Sequence, residues 1–246
     1  MFRADGILMP HLTQSPVVSS NRMTVLKKLL PYILTSLAVI GLWRVFTMTD
    51  NYAWSPKGKE RLMLDIALTT IFIYKTIFWL VVANLSVFII KSIFKKRYKI
   101  VGIAALISVT FYFTAGQIVD KNCAFSYYMV FVNQSVAEEY LQDPIKEAGY
   151  HIGPILTEKI KDKQMELRRY AIGGLGNIKY KPATETLKKI LVDTTETDYL
   201  RADAFVVLTK FNTETSNKVL SNFKSSAIYT SDKKVIELGN YFLHPN

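Results

Sequence analysis

Six charged side chains stand where charge is costly or where it repeats. Arg44, Asp65 and Lys75 lie in or beside long apolar runs, and Arg168, Arg169 and Arg201 recur at matching places in a helical pattern. An ionisable group at membrane depth marks an ion path, a counter-ion or a contact site. A structural reading competes with that one: Arg44 and Lys75 reach the headgroups on their long stems, and Asp65 pairs with one of them. The three later arginines can form a basic ridge that binds a partner. Equally, they can pair with acidic residues of a neighbouring unit, such as Asp203. These six are the candidate partner-binding residues.

The residue types of catalysis form no comparable pattern. His11, His151 and His244 are scattered, and the chain has no HExxH, CxxC, GxSxG or EF-hand loop. Glu138, Glu139, Glu158, Asp162 and Glu166 sit among lysines, as on solvated helix faces. Cys123 is the lone cysteine and reads as a small buried hydrophobe. Gly173, Gly174 and Gly176 make the string GGLGN, which is neither GxGxxG nor GxxxxGK[ST] and follows no strand. Small residues there suit close helix packing. The sequence therefore predicts a non-enzymatic protein with no cofactor and no metal.

The elements that position the first three charges are membrane spans. Residues 29–48, 62–90 and 100–119 are apolar runs of about 20 residues or more, enough to cross ~30 Å of hydrocarbon. The first is too long for a signal-peptide core and lacks a cleavage site after it, so it reads as a retained helix with Pro31 in its first turn. The second exceeds the bilayer thickness, so it tilts or projects. Its last 20 residues can span alone, which leaves Lys75 about one turn inside the boundary. In the third, Ala104 and Ser108 form a small-xxx-small pair suited to close helix contact.

Charge sets the orientation. The net charge is +11, and ten of those charges fall in residues 1–119, where cations flank the apolar runs. That is where membrane proteins place them, which argues against a nucleic-acid partner. The tail (Arg3, Arg22, Lys27, Lys28) and the second loop (Lys91, Lys95, Lys96, Arg97, Lys99) share one side. The first loop offers only Lys57, Lys59 and Arg61. The positive-inside rule makes residues 1–28 a cytoplasmic tail and 120–246 an extracytoplasmic, in a bacterium periplasmic, domain.

The aromatic-rich segment Cys123–Val132 is too short to span again. It extends the third helix, lies along the interface or docks the domain. From about Ser135 onward, apolar residues recur at helical spacing, as in Leu167, Tyr170, Ala171, Leu175 and Ile178. Thr194 or Thr197, and Ser231 or Asp232, are candidate helix caps, and Pro182 fits a helix start. Residues 165–191 align with residues 198–223: Leu167-Arg168 matches Leu200-Arg201, and Leu175 matches Leu208.

The string LRRYAIGGLGNIKYKPATETLKKIL resembles a HEAT-like repeat. The resemblance runs from about Ser135 to Phe223. It implies an α-solenoid of antiparallel helix pairs, a fold that usually binds other proteins. The fold expected is thus all-α: a three-helix transmembrane bundle followed by a short HEAT-like α-solenoid. In size and layout the chain also resembles polytopic inner-membrane immunity proteins against colicin-like, type VI-secreted pore-forming toxins. That resemblance implies the lipid bilayer and a toxin as partners. A structural adaptor of a cell-envelope complex is the alternative. A transporter is disfavoured, because the spans hold few polar groups at depth.

Overall fold

The computed structural model describes residues 17–48, 57–226 and 230–244 of the chain. Among them the structure is all-helical, without a strand. Three long helices come first: α1 (Val17–Met48), α2 (Lys59–Phe94) and α3 (Tyr98–Asn133). All three are long and apolar enough to cross a membrane. Each contains one of the apolar runs read from the sequence. α1 begins upstream of its run, so Pro31 lies inside the helix and not in its first turn. A proline in a helix removes the donor to the carbonyl four residues earlier, here that of Lys27. The Thr35 hydroxyl bonds back to the Pro31 carbonyl at 2.8 Å.

A tight turn joins α2 to α3. Lys96 takes a left-handed conformation with φ 53°. Its N–H donates to the Ile93 carbonyl at 2.8 Å, and the Arg97 N–H donates to the Ser92 carbonyl at 3.0 Å. These two bonds close a helix C-terminus in the Schellman pattern, with a lysine where glycine is usual. The helices then run antiparallel for 36 residues each, about 54 Å at 1.5 Å per residue. A bilayer core takes up only ~30 Å of that length. Counted from the turn, about 30 Å of helix rise reaches Lys75 and Asp120, and the part of the hairpin beyond them forms a two-helix stem.

The stem belongs to the core of the remaining chain. Leu64, Ala67 and Ile71 from α2, with Cys123, Tyr127, Val130 and Phe131 from α3, are buried in one continuous apolar cluster with Ile145, Ile152, Leu156 and Leu175. The cluster continues through Phe205 and Leu208 to Val235. Segment 123–132 therefore both extends the third helix and docks the domain. Each large side chain so buried contributes about 1.5–3 kcal/mol.

Among the described residues, seven shorter α-helices follow: α4 (Asp143–Ala148), α5 (Gly153–Lys159), α6 (Arg168–Asn177), α7 (Thr184–Val192), α8 (Asp198–Phe211), α9 (Glu214–Ser226) and α10 (Thr230–Leu243). α4 packs on α3. α8 is central, packed against α6, α7, α9 and α10. Thr197 caps α8, its hydroxyl accepting from the Leu200 N–H at 3.3 Å. Pro182 sits in a short 3₁₀ turn that leads into α7. Gly174 and Gly176 lie where helices approach closely. A Cβ on Gly174 would fall 2.6 Å from Ile145, and one on Gly176 would fall 2.9 Å from Val207.

Candidate functional site

The charges of the membrane half are placed by helix pairing. α1 lies antiparallel on α2, held by polar contacts at three heights. Near the turn, Lys91 donates to the Lys28 carbonyl at 3.0 Å and sits over the Tyr32 ring at 4.5 Å. At mid-depth, Asn84 donates to the Ser36 hydroxyl at 3.0 Å and to the Leu80 carbonyl at 2.8 Å. On the domain side, the Arg44 guanidinium stands over the Phe72 ring at 5.7 Å. A half-buried amide bonded across helices is satisfied without water, which is what hydrocarbon demands.

Lys75 pairs across the hairpin with Asp120 at 2.5 Å. Its side chain is only 18% exposed and that of Asp120 36%. Asp120 was missed in the sequence because it lies one residue past an uncharged run. Its position opposite Lys75 depends on the register of the hairpin. Asp65 lies farther out, on the stem, and pairs with Arg61 one helical turn away at 2.9 Å. Lys75 and Asp65 thus have separate partners. Arg44, Lys75 and Asp120 share one height, about 30 Å from the turn by helix rise.

In the domain, Arg168 and Arg201 are interior residues. Arg168 Nε donates to the Ile160 carbonyl at 2.6 Å, and its guanidinium meets Glu196 at 2.8 Å. Arg201 Nε donates to the Leu191 carbonyl at 2.9 Å, and its guanidinium is bonded to Asp232. Only 1% of the Arg201 side chain is exposed. Each arginine therefore ties the end of one helix to an acidic residue farther along the chain.

Arg169 differs from its neighbour. Its side chain is 52% exposed and bonds Asp203 at 2.7 Å, the acidic partner named from the sequence. Burial pushes the Asp203 carboxyl above its ordinary range, against the pull of Arg169. The guanidinium also lies over the rings of Tyr199 at 5.8 Å and Phe242 at 5.4 Å. Tyr199 and Tyr241 flank Phe242 and are 55% and 61% exposed. The result is a surface patch of one arginine and three aromatic rings. The sequence held no signal for it, because Tyr199 and Tyr241 come from α8 and α10 and meet only after packing.

Comparison of the chain with family models, with curated proteins and with solved structures gave no match.

Proposed function

We propose that this chain is a non-enzymatic protein-binding protein of the bacterial inner membrane, with its domain on the periplasmic side. In its most specific form it is an immunity protein that neutralises a membrane-targeting pore-forming toxin. The domain is then a short HEAT-like α-solenoid whose units are joined by Arg168 and Arg201. The observation that carries the reading is the patch of Arg169, Tyr199, Phe242 and Tyr241. Arginine and tyrosine are the residue types that dominate binding energy at protein interfaces. The patch sits on a domain whose core is shared with the membrane hairpin. A partner held there is kept beside the bilayer, where an inserting toxin must act.

The test is protection of cells from a periplasmically delivered pore-former. The wild-type chain is expected to protect, and the Arg169→Ala/Tyr199→Ala/Tyr241→Ala variant, inserted at the same level, is expected to fail. Equal protection by the variant would remove the patch from the reading, and no protection by the wild type would remove the toxin. The shared core also suits a rigid scaffold. A stoichiometric complex recovered in mild detergent without any toxin would favour the adaptor role instead.

A further inference from the structure

Between α2 and α3, at the height where the hairpin leaves the hydrocarbon, lies a groove of about 300 Å³. Lys75 and Asp120 line it, beside the rings of Trp79, Tyr112 and Phe113. Those three rings are exposed in the structure and lie about 6–12 Å nearer the turn than the two charges by helix rise, so they face the lipid below a headgroup held there. Gly116 leaves part of the wall without a side chain. A Cβ there would meet only the Phe78 ring, at 3.8 Å.

The groove carries one positive and one negative charge side by side. An anionic headgroup would gain Lys75 but would face the Asp120 carboxylate. A zwitterionic phospholipid satisfies both, its phosphate toward the Lys75 ammonium and its own ammonium toward Asp120. A primary ammonium can also donate charge-assisted N–H bonds to the carboxylate, which a quaternary one cannot. We propose that the groove is a binding site for phosphatidylethanolamine, with its headgroup between Lys75 and Asp120 and its glycerol end against Trp79, Tyr112 and Phe113. The site would hold a lipid of the outer-facing leaflet at the base of the stem. It does not depend on the protein partner proposed above, and its test involves no toxin.

The test is native mass spectrometry of the full chain in mild detergent with equimolar phosphatidylethanolamine, phosphatidylcholine and phosphatidylglycerol. The wild type is expected to retain phosphatidylethanolamine about tenfold over each of the others, the weight of one hydrogen bond to a charged group. Gly116→Leu, which fills the groove, is expected to lose about tenfold of that retention, and Gly116→Ala, which leaves it open, to keep it. Asp120→Asn is expected to raise phosphatidylglycerol to the level of phosphatidylethanolamine, a gain that misfolding does not produce. Equal retention of the three lipids by the wild type would overturn the site. So would undiminished phosphatidylethanolamine on Gly116→Leu, or an unchanged preference on Asp120→Asn.

Discussion

Arg168 and Arg201, 33 residues apart, perform the same task. Each lays its Nε on a carbonyl at the end of an earlier helix, Ile160 for one and Leu191 for the other. Each turns the rest of its guanidinium to an acid farther along the chain, Glu196 and Asp232 respectively. A guanidinium can do this because its donors point in two directions from a rigid plane. The last carbonyls of a helix lack intrahelical donors, so the arginine also completes a helix terminus.

Removing either arginine leaves a buried acid unpaired. Arg201→Ala is expected to destabilise the domain by about 3–5 kcal/mol, since breaking one side of a buried pair costs more than the pair itself is worth. Denaturant or thermal unfolding in detergent would measure it. The double variant Arg201→Met/Asp232→Leu is expected to recover most of the loss, because no charge is then stranded. Arg169→Ala is expected to cost less than Arg201→Ala, since the Arg169 side chain is half exposed and the Asp203 carboxyl, already raised by burial, can take up a proton.

The Lys75–Asp120 pair is open to a double-mutant cycle. Lys75→Met and Asp120→Leu each strand one charge at the bilayer boundary, and each is expected to lower the unfolding midpoint. Together they are expected to cost less than the sum of the two, with a coupling of about 1–2 kcal/mol. A coupling near zero would mean that the two charges are served separately by water and headgroups.

Adjacent glycines of the GGLGN string are expected to respond differently to alanine. Gly174→Ala drives a methyl into Ile145, and Gly176→Ala drives one into Val207. Each is expected to cost about 1–3 kcal/mol by overpacking. At Gly173 the nearest atom is the tip of the flexible Gln142 side chain, which can move aside. Gly173→Ala is expected to be neutral or to gain up to about 1 kcal/mol of helix propensity. Melting curves of the three variants would decide it.

Acid sensitivity is expected at Asp193. Its carboxyl is held well below its ordinary 3.8 by Lys163, with further bonds from the Thr195 hydroxyl and backbone N–H. A depressed carboxyl stabilises the fold above its ordinary pKa, and the benefit is lost as pH falls through the depressed value. The wild type is therefore expected to melt above Asp193→Asn at pH 7, with the gap closing as pH falls below about 4. A gap that is unchanged across that range would show that folding does not depress the Asp193 carboxyl.

The membrane helices were legible because an apolar run of bilayer length has few other outcomes. The amphipathic helices of the domain were legible through the spacing of residues such as Leu167, Ala171 and Leu175. The sequence offers Asp203 as an acidic partner for the three arginines but leaves a basic ridge open as an equal alternative; packing decides which arginine meets it. The extent of α3 was not fixed by hydropathy. Residues 123–132 are as apolar as a span but too short, and their place depends on which neighbours cover Tyr127 and Phe131. Asp120 and the Tyr199–Tyr241 patch were hidden for a related reason. Each exists only through the register between two helices, which single-helix periodicity does not encode.

The shared core constrains how the protein is made. Cys123, Tyr127, Val130 and Phe131 are buried against helices that follow them in the chain, while Leu64, Ala67 and Ile71 come from the helix before. The domain therefore closes only around a formed hairpin end, since α2 and α3 supply part of its interior. A fragment that begins after Asn133 lacks the wall on which its first helices pack, so the long hairpin is a structural part of the domain and not a tether for it.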